Sequence, residues 1–492
     1  MTKDSRVVIA PPAFAWYHLW SPAIVNPVNL KSYTIPLLNL RDPYARAFHL
    51  SWLGFFVAFL SWFAFPPLIP DAIKVDLKLT NEQVNNSNIV ALVATLIIRF
   101  AVGPIVDAFG PRRVMAGLLV LGAIPSGLAG TAHSANTLYI IRFFIGILGG
   151  TFVPCQAWTS SWFDKNCVGT VNALVGGWGN LGGGATFAVM TSLYAALIQT
   201  GMTPHVAWRA SFAIVPLPCL LLVALMILIF GQDHPVGKWS ERQNLPATTR
   251  LEKQGRRIHL LVDEKNSSKQ KDRHSKDLEN RVTVHSVDDP GLDVVDSTVD
   301  VAINEKLTFE SAARIVLSPL TWLPALAYLS TFGLELAVDA QMANVFFALY
   351  NKRIQGFDQT KAGYYTSIFG FMNLFSRPFG GYVGDVVYRK WGTKAGGLYL
   401  AGSKIDVVMA IFSITAVFSE IGNGANFALV PHCNSYNNGV MSGIVGSFGN
   451  LGGIIFSLVF RFQPAQGKAF WIMGVICIVI NAVLVVVPVP KF

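Results

Sequence analysis

Long apolar stretches dominate this chain and restrict what it can fold into. A helix needs about 20 apolar residues to cross the hydrocarbon core of a bilayer. Eleven stretches fall in that range, at 49–69, 88–106, 114–131, 137–160, 168–191, 209–231, 318–348, 362–384, 406–431, 439–460 and 468–489. Because backbone amides in hydrocarbon must be hydrogen-bonded within the segment, these stretches predict helices rather than barrel strands. The sequence therefore predicts an all-α polytopic membrane protein.

The charged residues predict an orientation. Of the 492 residues, 52% are hydrophobic and 13% are charged, with a net charge of +10. This charge does not indicate nucleic-acid binding, because Lys and Arg lie in short loops beside the spans, where they set orientation. Arg112, Arg113 and Lys165 lie in such loops, whereas 132–136 and 192–207 contain no Lys or Arg. We therefore expect the N-terminus to be cytoplasmic.

Two segments lie outside the predicted membrane region. Residues 1–48 lack the features of a signal peptide and are predicted to be a cytoplasmic tail. Residues 232–316 alternate acids and bases with few aromatics, a composition that cannot bury enough apolar surface to fold alone. We interpret them as a disordered cytoplasmic linker, with phosphorylation-controlled regulation as an alternative to a passive tether. The linker separates a six-helix bundle at 49–231 from a second bundle at 317–492.

Cysteine usage indicates neither a disulfide framework nor a metal site. The chain has five cysteines, an odd number with no CxxC pair, and several lie within predicted spans. We also find no nucleophile with an adjacent base and no phosphate-binding loop in a suitable context. No cofactor and no catalytic activity are therefore predicted.

The two halves repeat the same pattern. The first half contains RFAVGPIVD at 99–107, and the second contains RPFGGYVGD at 377–385. Arg, Gly and Asp recur at i, i+4 and i+8, which places all three on one helix face. A glycine-asparagine motif follows each copy, GGWGNLGGG at 176–184 and GSFGNLGGI at 446–454. The chain therefore contains an internal repeat.

The glycines of each motif lie on one side of a helix. This side carries Gly176, Gly179 and Gly183 with Asn180 in the first motif, and Gly446, Gly449 and Gly453 with Asn450 in the second. Small residues let helices approach closely in lipid, and a carboxamide among them can bond to a neighbour or to a polar substrate. Helix packing alone explains the glycines as well as binding does. It explains the two asparagines less well.

These motifs resemble those of a known family. The GxxxD pattern followed by basic residues, present in both halves around a central loop, resembles the major facilitator superfamily. The doubled glycine-asparagine motif resembles the nitrate/nitrite porters within it. FLSWFAFPPLIP at 59–70, GILGGTFVPCQAW at 146–158 and NGANFALVPH at 423–432 resemble the fungal high-affinity members. The resemblance covers most of 45–490 except the linker, and it implies two pseudo-symmetric bundles with twelve spans.

Two arginines carry the predicted chemistry. Arg99 and Arg377 each lie near the middle of a span, where an isolated cation is strongly disfavoured unless it faces a cavity or a partner. Two guanidinium groups from equivalent positions can converge on one flat oxyanion and bind it with paired hydrogen bonds. The alternative is a structural ion pair with an acid on another helix, for which the candidates are Glu335, Asp339 and Glu420.

The resemblance implies further site residues. Phe152 and Tyr328 fall where substrate-contacting aromatics lie in the family, with Phe332 one turn after Tyr328 and Phe65 on the first span. Gly176, Gly179 and Gly449 would let the backbone approach the anion. Arg142 resembles another superfamily pattern and is as consistent with a structural role as with a functional one. Contacts that gate the cytoplasmic face are expected from Asp107, Arg112, Asp385 and Arg389.

The resemblance and the energetics together predict proton-coupled nitrate uptake, with nitrite as a further substrate. Moving one negative charge into a cell at about 100 mV negative inside costs about 2.3 kcal/mol, so accumulation needs co-transported cations. Glu335, Asp339 and Glu420 are the candidate proton carriers. We expect a plasma-membrane symporter working by alternating access. The alternatives are a nitrate/nitrite antiporter and a transport-inactive nitrate sensor.

One feature departs from the family pattern. Between Asp385 and Val407 there is no apolar run long enough to cross a bilayer, so the ninth span is missing or shortened. A true eleven-span chain would invert the last three helices and turn Asn450 upside down relative to Asn180. We interpret the gap as a short partial helix or an altered version of the sequence.

Overall fold

Two helical bundles form the protein. The computed structural model describes residues 12–26, 29–242, 307–352, 354–391, 408–433, 437–463 and 465–486. The first half contains α1 (Pro43–Asp76), α2 (Asn81–Phe109), α3 (Pro111–Thr131), α4 (Ala135–Trp162), α5 (Val168–Gln199) and α6 (Pro204–Phe230). The second contains α7 (Pro319–Tyr350), α8 (Gln359–Met372), α9 (Ser376–Trp391), α10 (Val408–Cys433), α11 (Asn438–Phe462) and α12 (Gln466–Val486).

Most of these helices satisfy the requirement for crossing a membrane. Among the described residues, nine helical segments are individually long and apolar enough to do so. The consecutive helices α8 and α9 are separated only by residues 373–375, and α10 is a further long helix. The prediction of an all-α polytopic membrane protein is confirmed.

The first helix begins earlier than hydropathy predicts, at Pro43 rather than at 49. The Asp42 side chain caps the helix by accepting a hydrogen bond from the backbone N–H of Tyr44 at 2.9 Å, and Pro43 occupies the first helical position. Arg46 and His49 lie in the first two turns and lower the local hydropathy. The helix start is therefore specified by capping residues and not by apolar character.

The described part of the N-terminal tail packs on the first bundle. Ser32 pairs with the loop after α4, donating its backbone N–H to Trp162 O at 2.8 Å and accepting the N–H of Asp164 at 2.9 Å. The Tyr44 hydroxyl donates to Leu30 O at 2.5 Å, and Leu30 is fully buried. We call the end of the bundle where these contacts lie the tail end.

The segment after α6 also packs at the tail end. The Trp239 indole donates to the backbone carbonyl of Asp107 at 2.9 Å, and Arg242 Nη2 donates to the same oxygen at 3.2 Å. Residues 232–242 of the predicted linker therefore bind the end of α2. Residues 243–306 lie outside the described residues, and the chain resumes before a short helix at Phe309–Leu317.

Glycines form the interface between the two halves. Helix α2 packs against α11, where a Cβ on Gly103 would lie 2.8 Å from the carbonyl oxygen of Gly439. Helix α5 packs against α8, where a Cβ on Gly184 would lie 2.5 Å from the Cα of Gly370. The helix pairs correspond under the internal repeat, although these two glycine pairs do not occupy equivalent positions. The halves therefore meet along two close backbone contacts that larger side chains would separate.

Helix α11 runs antiparallel to α2. Asp107, at the tail end of α2, binds the first turn of α11. Further along, Ser447 Oγ donates to Leu96 O at 3.3 Å, and Arg461 pairs with Glu82 at 2.7 Å. This direction is the one that a twelve-span arrangement requires, so α11 is not inverted.

Helix α10 runs antiparallel to α7. Ser419 Oγ donates to Thr331 O at 3.1 Å, and Asn426 Nδ2 donates to Pro324 O, nearer the start of α7, at 2.9 Å. Helix α9 approaches the start of α5 through Gly381, whose Cβ would lie 2.9 Å from Gly169 O. Helix α9 therefore ends at the tail end, whereas α10 begins at the opposite end. The residues between them, 392–407, include most of the predicted ninth-span gap and lie outside the described residues.

Candidate functional site

Arg99 lies on α2 at the interface between the halves and is fully buried. Its Nε donates to Gly149 O at 2.8 Å, and its Nη1 donates across the interface to Gly446 O at 2.8 Å. Among the described residues, its Nη2 has no hydrogen-bond partner. A buried guanidinium N–H without an acceptor is costly, so this donor indicates a place for an acceptor that the protein does not itself supply.

Arg377 lies in the first turn of α9, just after the interruption at 373–375, and is also fully buried. Its Nη2 donates to the Tyr328 hydroxyl oxygen at 3.0 Å. Its Nη1 lies 3.9 Å from Glu335 and 3.7 Å from Glu420, and neither Nη1 nor Nε makes a hydrogen bond. The ion-pair alternative therefore holds in part for Arg377, at longer than hydrogen-bonding distance. Within the described part of the chain it does not hold for Arg99, whose hydrogen bonds go to backbone carbonyls.

An aromatic cluster lies between the two arginines. The guanidinium carbons of Arg99 and Arg377 lie 5.3 and 5.8 Å from the ring centroid of Phe332. Tyr328 and Phe332 stack with centroids 4.6 Å apart, and Phe152 lies nearly parallel to Tyr328 at 5.9 Å. Arg99 also lies 4.8 Å from the Phe152 ring. The two cations therefore share one set of near-parallel rings, with attractive cation–π contacts.

The glycine-asparagine motifs make room for these groups. A Cβ on Gly176 would lie 3.2 Å from Nε of Arg377, and a Cβ on Gly446 would lie 3.3 Å from Cδ of Arg99. The first glycine of each motif thus faces the arginine of the other half. One turn on, a Cβ on Gly449 would lie 2.7 Å from the rings of Tyr328 and Phe332, whereas Gly179 gives room to Phe55. The absence of a side chain at Gly176, Gly446 and Gly449 therefore leaves room for the arginines and the rings.

The two asparagines of the motifs make different contacts. Asn180 Nδ2 donates to Glu335 Oε1 across the interface. Asn450 Nδ2 donates to Gly446 O on its own helix at 3.1 Å. The Oδ1 atoms of both asparagines lack hydrogen-bond partners. Each carboxamide therefore has one free acceptor at the level of the arginines.

Three carboxyl groups lie on the Arg377 side. Glu335 and Asp339 are on α7, Glu420 is on α10, and all three are buried. Glu335 accepts hydrogen bonds from Asn180, from Asn373 at 3.1 Å and from Asn423 at 2.7 Å. Glu420 Oε1 and Asp339 Oδ1 have no hydrogen-bond partner in the part of the chain that the structure describes. The acids of this cluster therefore differ in how well their charge is stabilised.

Other predicted residues lie away from the arginines. Phe65 packs on Phe212, with centroids 4.4 Å apart, and its ring lies 5.5 Å from the guanidinium carbon of Arg142. Arg142 donates to Ser87 at 2.9 Å and to Asn88 at 2.6 Å on α2. The structure therefore places Phe65 with Arg142 and not in the aromatic cluster.

The predicted gating residues divide into two groups. The Asp107 carboxylate accepts the backbone N–H groups of Gly439 and Val440 at 3.0 and 2.9 Å, which joins the halves at the tail end. Arg112 instead donates to the carbonyls of Ile227 and Leu228 at the end of α6, within its own half. The side chains of Asp385 and Arg389 lie outside the described residues.

Sequence reasoning missed several residues of the site. Phe427 packs edge-on to Phe152 and Tyr328 at 4.7 and 4.8 Å. Gln156, Asn373 and Asn423 are buried, and each has an unpartnered amide oxygen. A polar side chain in the middle of an apolar span is itself a signal, which identifies Gln156 and Asn423. Phe427, one of 34 phenylalanines, carries no such signal.

Two helical bundles that meet around a pair of buried arginines are typical of a secondary transporter. The chain matches the family model of the Major Facilitator Superfamily over residues 51–457. The fold agrees, because the solved proton:xylose symporter XylE superposes with a TM-score of 0.59 over 89% of this chain and 95% of that one, at 13% identity.

Similar proteins identify the family within this superfamily. High affinity nitrate transporter 2.5 of Arabidopsis thaliana is 30% identical over 446 residues, which cover 87% of this chain and 76% of the relative. The nitrate/nitrite transporter NrtP of Nostoc punctiforme is 27% identical over 478 residues, covering 90% of this chain and 92% of the relative. The chain belongs to the nitrate/nitrite porter family of the major facilitator superfamily.

Proposed function

We propose that this protein carries nitrate, and nitrite as a second substrate, into the cell across the plasma membrane in symport with protons. The observation that carries the proposal is the pair of buried arginines, one from each half, whose unpartnered N–H groups flank one aromatic cluster. The names of the relatives support the choice of anion.

The chemistry of the cluster favours a flat, singly charged ion. Guanidinium groups bind planar oxyanions through paired hydrogen bonds, and Arg99 Nη2 with Arg377 Nη1 and Nε supplies three donors without partners. The near-parallel faces of Phe152 and Tyr328 match a planar ion better than a tetrahedral one. Phosphate and sulfate carry more charge and bulk than this apolar surround accommodates.

Contacts at both ends support alternating access. At the tail end, Asp107 binds the start of α11. At the opposite end, Gln359 Oε1 accepts the backbone N–H groups of Asp71 and Ala72 at 2.7 and 3.1 Å. Both contacts join one half to the other. We propose that they open in turn as the halves rock, with the tail end facing the cytoplasm.

Replacing Asp107 by asparagine is expected to loosen the tail end. Asparagine keeps one acceptor but loses the charge that binds two N–H groups at the positive end of a helix dipole, a change of about 1–2 kcal/mol. Spin labels are placed at Arg113 and Glu310, one in each half. The distance between them, measured by double electron–electron resonance, should show a new population at longer distance. Asp358→Asn removes a charge at the opposite end but keeps a helix cap within one half, so it should leave the distances unchanged. An unchanged distribution in Asp107→Asn would contradict the gating role.

Replacing Tyr328 by phenylalanine is expected to weaken nitrate binding about tenfold, since a hydrogen bond from a charged donor contributes about 1.5–3 kcal/mol, part of which the freed donor regains. The lost contact is the one that orients Arg377. The KM for uptake should rise with little change in the maximal rate. Tyr365→Phe, at a half-exposed residue outside the site, is the matched control. An unchanged KM would show that the hydroxyl does not orient Arg377 for binding.

Uptake by purified protein in liposomes tests the proposed function. Labelled nitrate should accumulate when the outside is acidic and should not accumulate without a pH gradient. Sulfate and phosphate should not compete. Uptake that depends on internal nitrite and ignores the pH gradient would indicate an antiporter. Binding without any transport would indicate a sensor.

A further inference from the structure

Glu420 is less stabilised than Glu335, the other acid beside Arg377. It is fully buried on α10, and its Oε2 lies 3.7 Å from Nη1 of Arg377. Asn423 Nδ2 donates to Glu420 Oε2 at 3.5 Å, at the limit of such a contact, and Oε1 has no partner among the described residues. A buried carboxylate with so few donors is costly to keep ionised unless a cation lies beside it.

Glu335 contrasts with it. Three carboxamide N–H groups, from Asn180, Asn373 and Asn423, bind its two oxygens. Such donors stabilise the charged form of a carboxyl group. Glu420 has fewer such donors, so it is the acid of this pair that more readily takes up a proton.

The balance of charges in the site links this proton to the bound anion. Arg99 and Arg377 bring two positive charges into a buried site, and Glu335 offsets one of them. The second is offset either by an ionised Glu420 or by a bound nitrate, but binding nitrate beside an ionised Glu420 would leave a net negative charge in a medium of low dielectric constant. Nitrate and the Glu420 charge therefore exclude each other.

We propose that Glu420 carries the co-transported proton and takes it up as nitrate binds beside Arg377. This inference rests on the proposed function and identifies its coupling residue. With the outer side open, nitrate enters and Glu420 carboxylate takes one proton from the medium, forming a neutral carboxylic acid. With the inner side open, nitrate leaves and the acid returns that proton to the cytoplasm. One proton and one anion move together, so this step transfers no net charge.

The groups that face Glu420 come from three neighbouring helices. Helix α7 supplies Glu335 and Asp339, and α9 supplies Arg377. The α5 residue Asn180 acts on the pair through Glu335. Asp339 has an oxygen without a partner and no cation at hydrogen-bonding distance among the described residues, so we assign it the neutral form in both states. Asp339→Asn is therefore the matched control.

Nitrate binding to the purified protein at several pH values tests the assignment. If one proton binds with each nitrate, the wild-type affinity should fall about tenfold per pH unit above the titration of Glu420, because the linkage is reciprocal. Glu420→Gln should bind nitrate with no such slope and should exchange labelled nitrate for unlabelled nitrate without pH-driven accumulation. Asp339→Asn should keep the wild-type slope.

A second measurement uses only the wild-type protein, so it does not depend on the folding of any variant. In weakly buffered solution, wild-type protein should take up one proton for each nitrate bound, as read by a pH dye. No proton uptake, or a full slope retained in Glu420→Gln, would overturn the assignment. A slope lost only in Asp339→Asn would transfer the role to Asp339. Absence of any nitrate binding by the wild type would refute the proposed function itself.

Discussion

Nitrate uptake is expected to fall about a hundredfold or more when either Arg99 or Arg377 is replaced by lysine. Lysine keeps the charge, but its ammonium cannot reproduce a planar fork that holds protein oxygens and an anion together. Replacing Arg99 would also remove the hydrogen bonds that it donates to the carbonyls of Gly149 and Gly446. Losing a buried charged hydrogen bond costs about 2–5 kcal/mol, a range that includes the ~2.7 kcal/mol of a hundredfold change. Initial rates of labelled nitrate uptake into liposomes measure the effect.

The control for this experiment is Arg314→Lys. Arg314 is an exposed arginine that pairs with Glu310 within the same short helix, so its replacement should leave uptake unchanged. Size-exclusion profiles must show that each variant remains folded. Normal uptake in one of the two buried variants would remove that arginine from the site.

Replacing Gly182 or Gly452 by alanine is expected to disrupt the bundle that contains it. A Cβ on Gly182 would lie 2.0 Å from Phe56 O on α1, and a Cβ on Gly452 would lie 2.0 Å from Leu329 O on α7. Both obstacles are backbone atoms, so a helix must move. Overpacking of this kind costs about 3 kcal/mol or more. The yield of monodisperse protein and its melting temperature should both drop sharply.

Gly183→Ala is the matched control, since it lies next to Gly182 in the same motif. Its Cβ would meet Phe63 at 3.4 Å, an ordinary van der Waals contact. This variant should be as stable as the wild type, or slightly more so because alanine favours helix. Equal losses in Gly182→Ala and Gly183→Ala would show that the motif acts through backbone flexibility and not through close packing.

The sequence predicts the membrane helices and the residues at the centre of the site because both follow from strong energetic rules. Apolar length determines a span, and a buried arginine needs a partner or a ligand. Arg99 and Arg377 therefore stand out without any structure. Their use as one binding site remains a prediction. Tyr328, Phe332 and Phe152 come from the family resemblance, and the structure brings all three to the arginines.

Contacts between helices are harder to predict, because they depend on the rotation and tilt of each helix, which no local sequence pattern specifies. Phe65 lies on an apolar span like Phe152, yet the structure places it with Arg142 at a different level. Asn180 and Asn450 occupy equivalent positions in the two motifs, but only Asn180 faces an acid. The repeat predicts equivalent backbones and does not predict equivalent partners.

The directions of the last three helices could not be predicted from the sequence either. Apolar runs alone left open whether a chain with eleven readable spans inverts α10, α11 and α12. The contacts of Ser447 with α2 and of Asn426 with α7 show that α11 and α10 keep the twelve-span directions. Asn450 therefore lies on the same side of the interface as the repeat requires.

Titration calorimetry of nitrate with the wild type, Arg99→Lys, Arg377→Lys and the double variant tests most directly whether the two arginines hold one ion. We predict one nitrate per chain and a strong coupling between the two substitutions, so that the double variant loses much less affinity than the two single losses combined. Two nitrates per chain, or losses that simply add, would contradict a shared site.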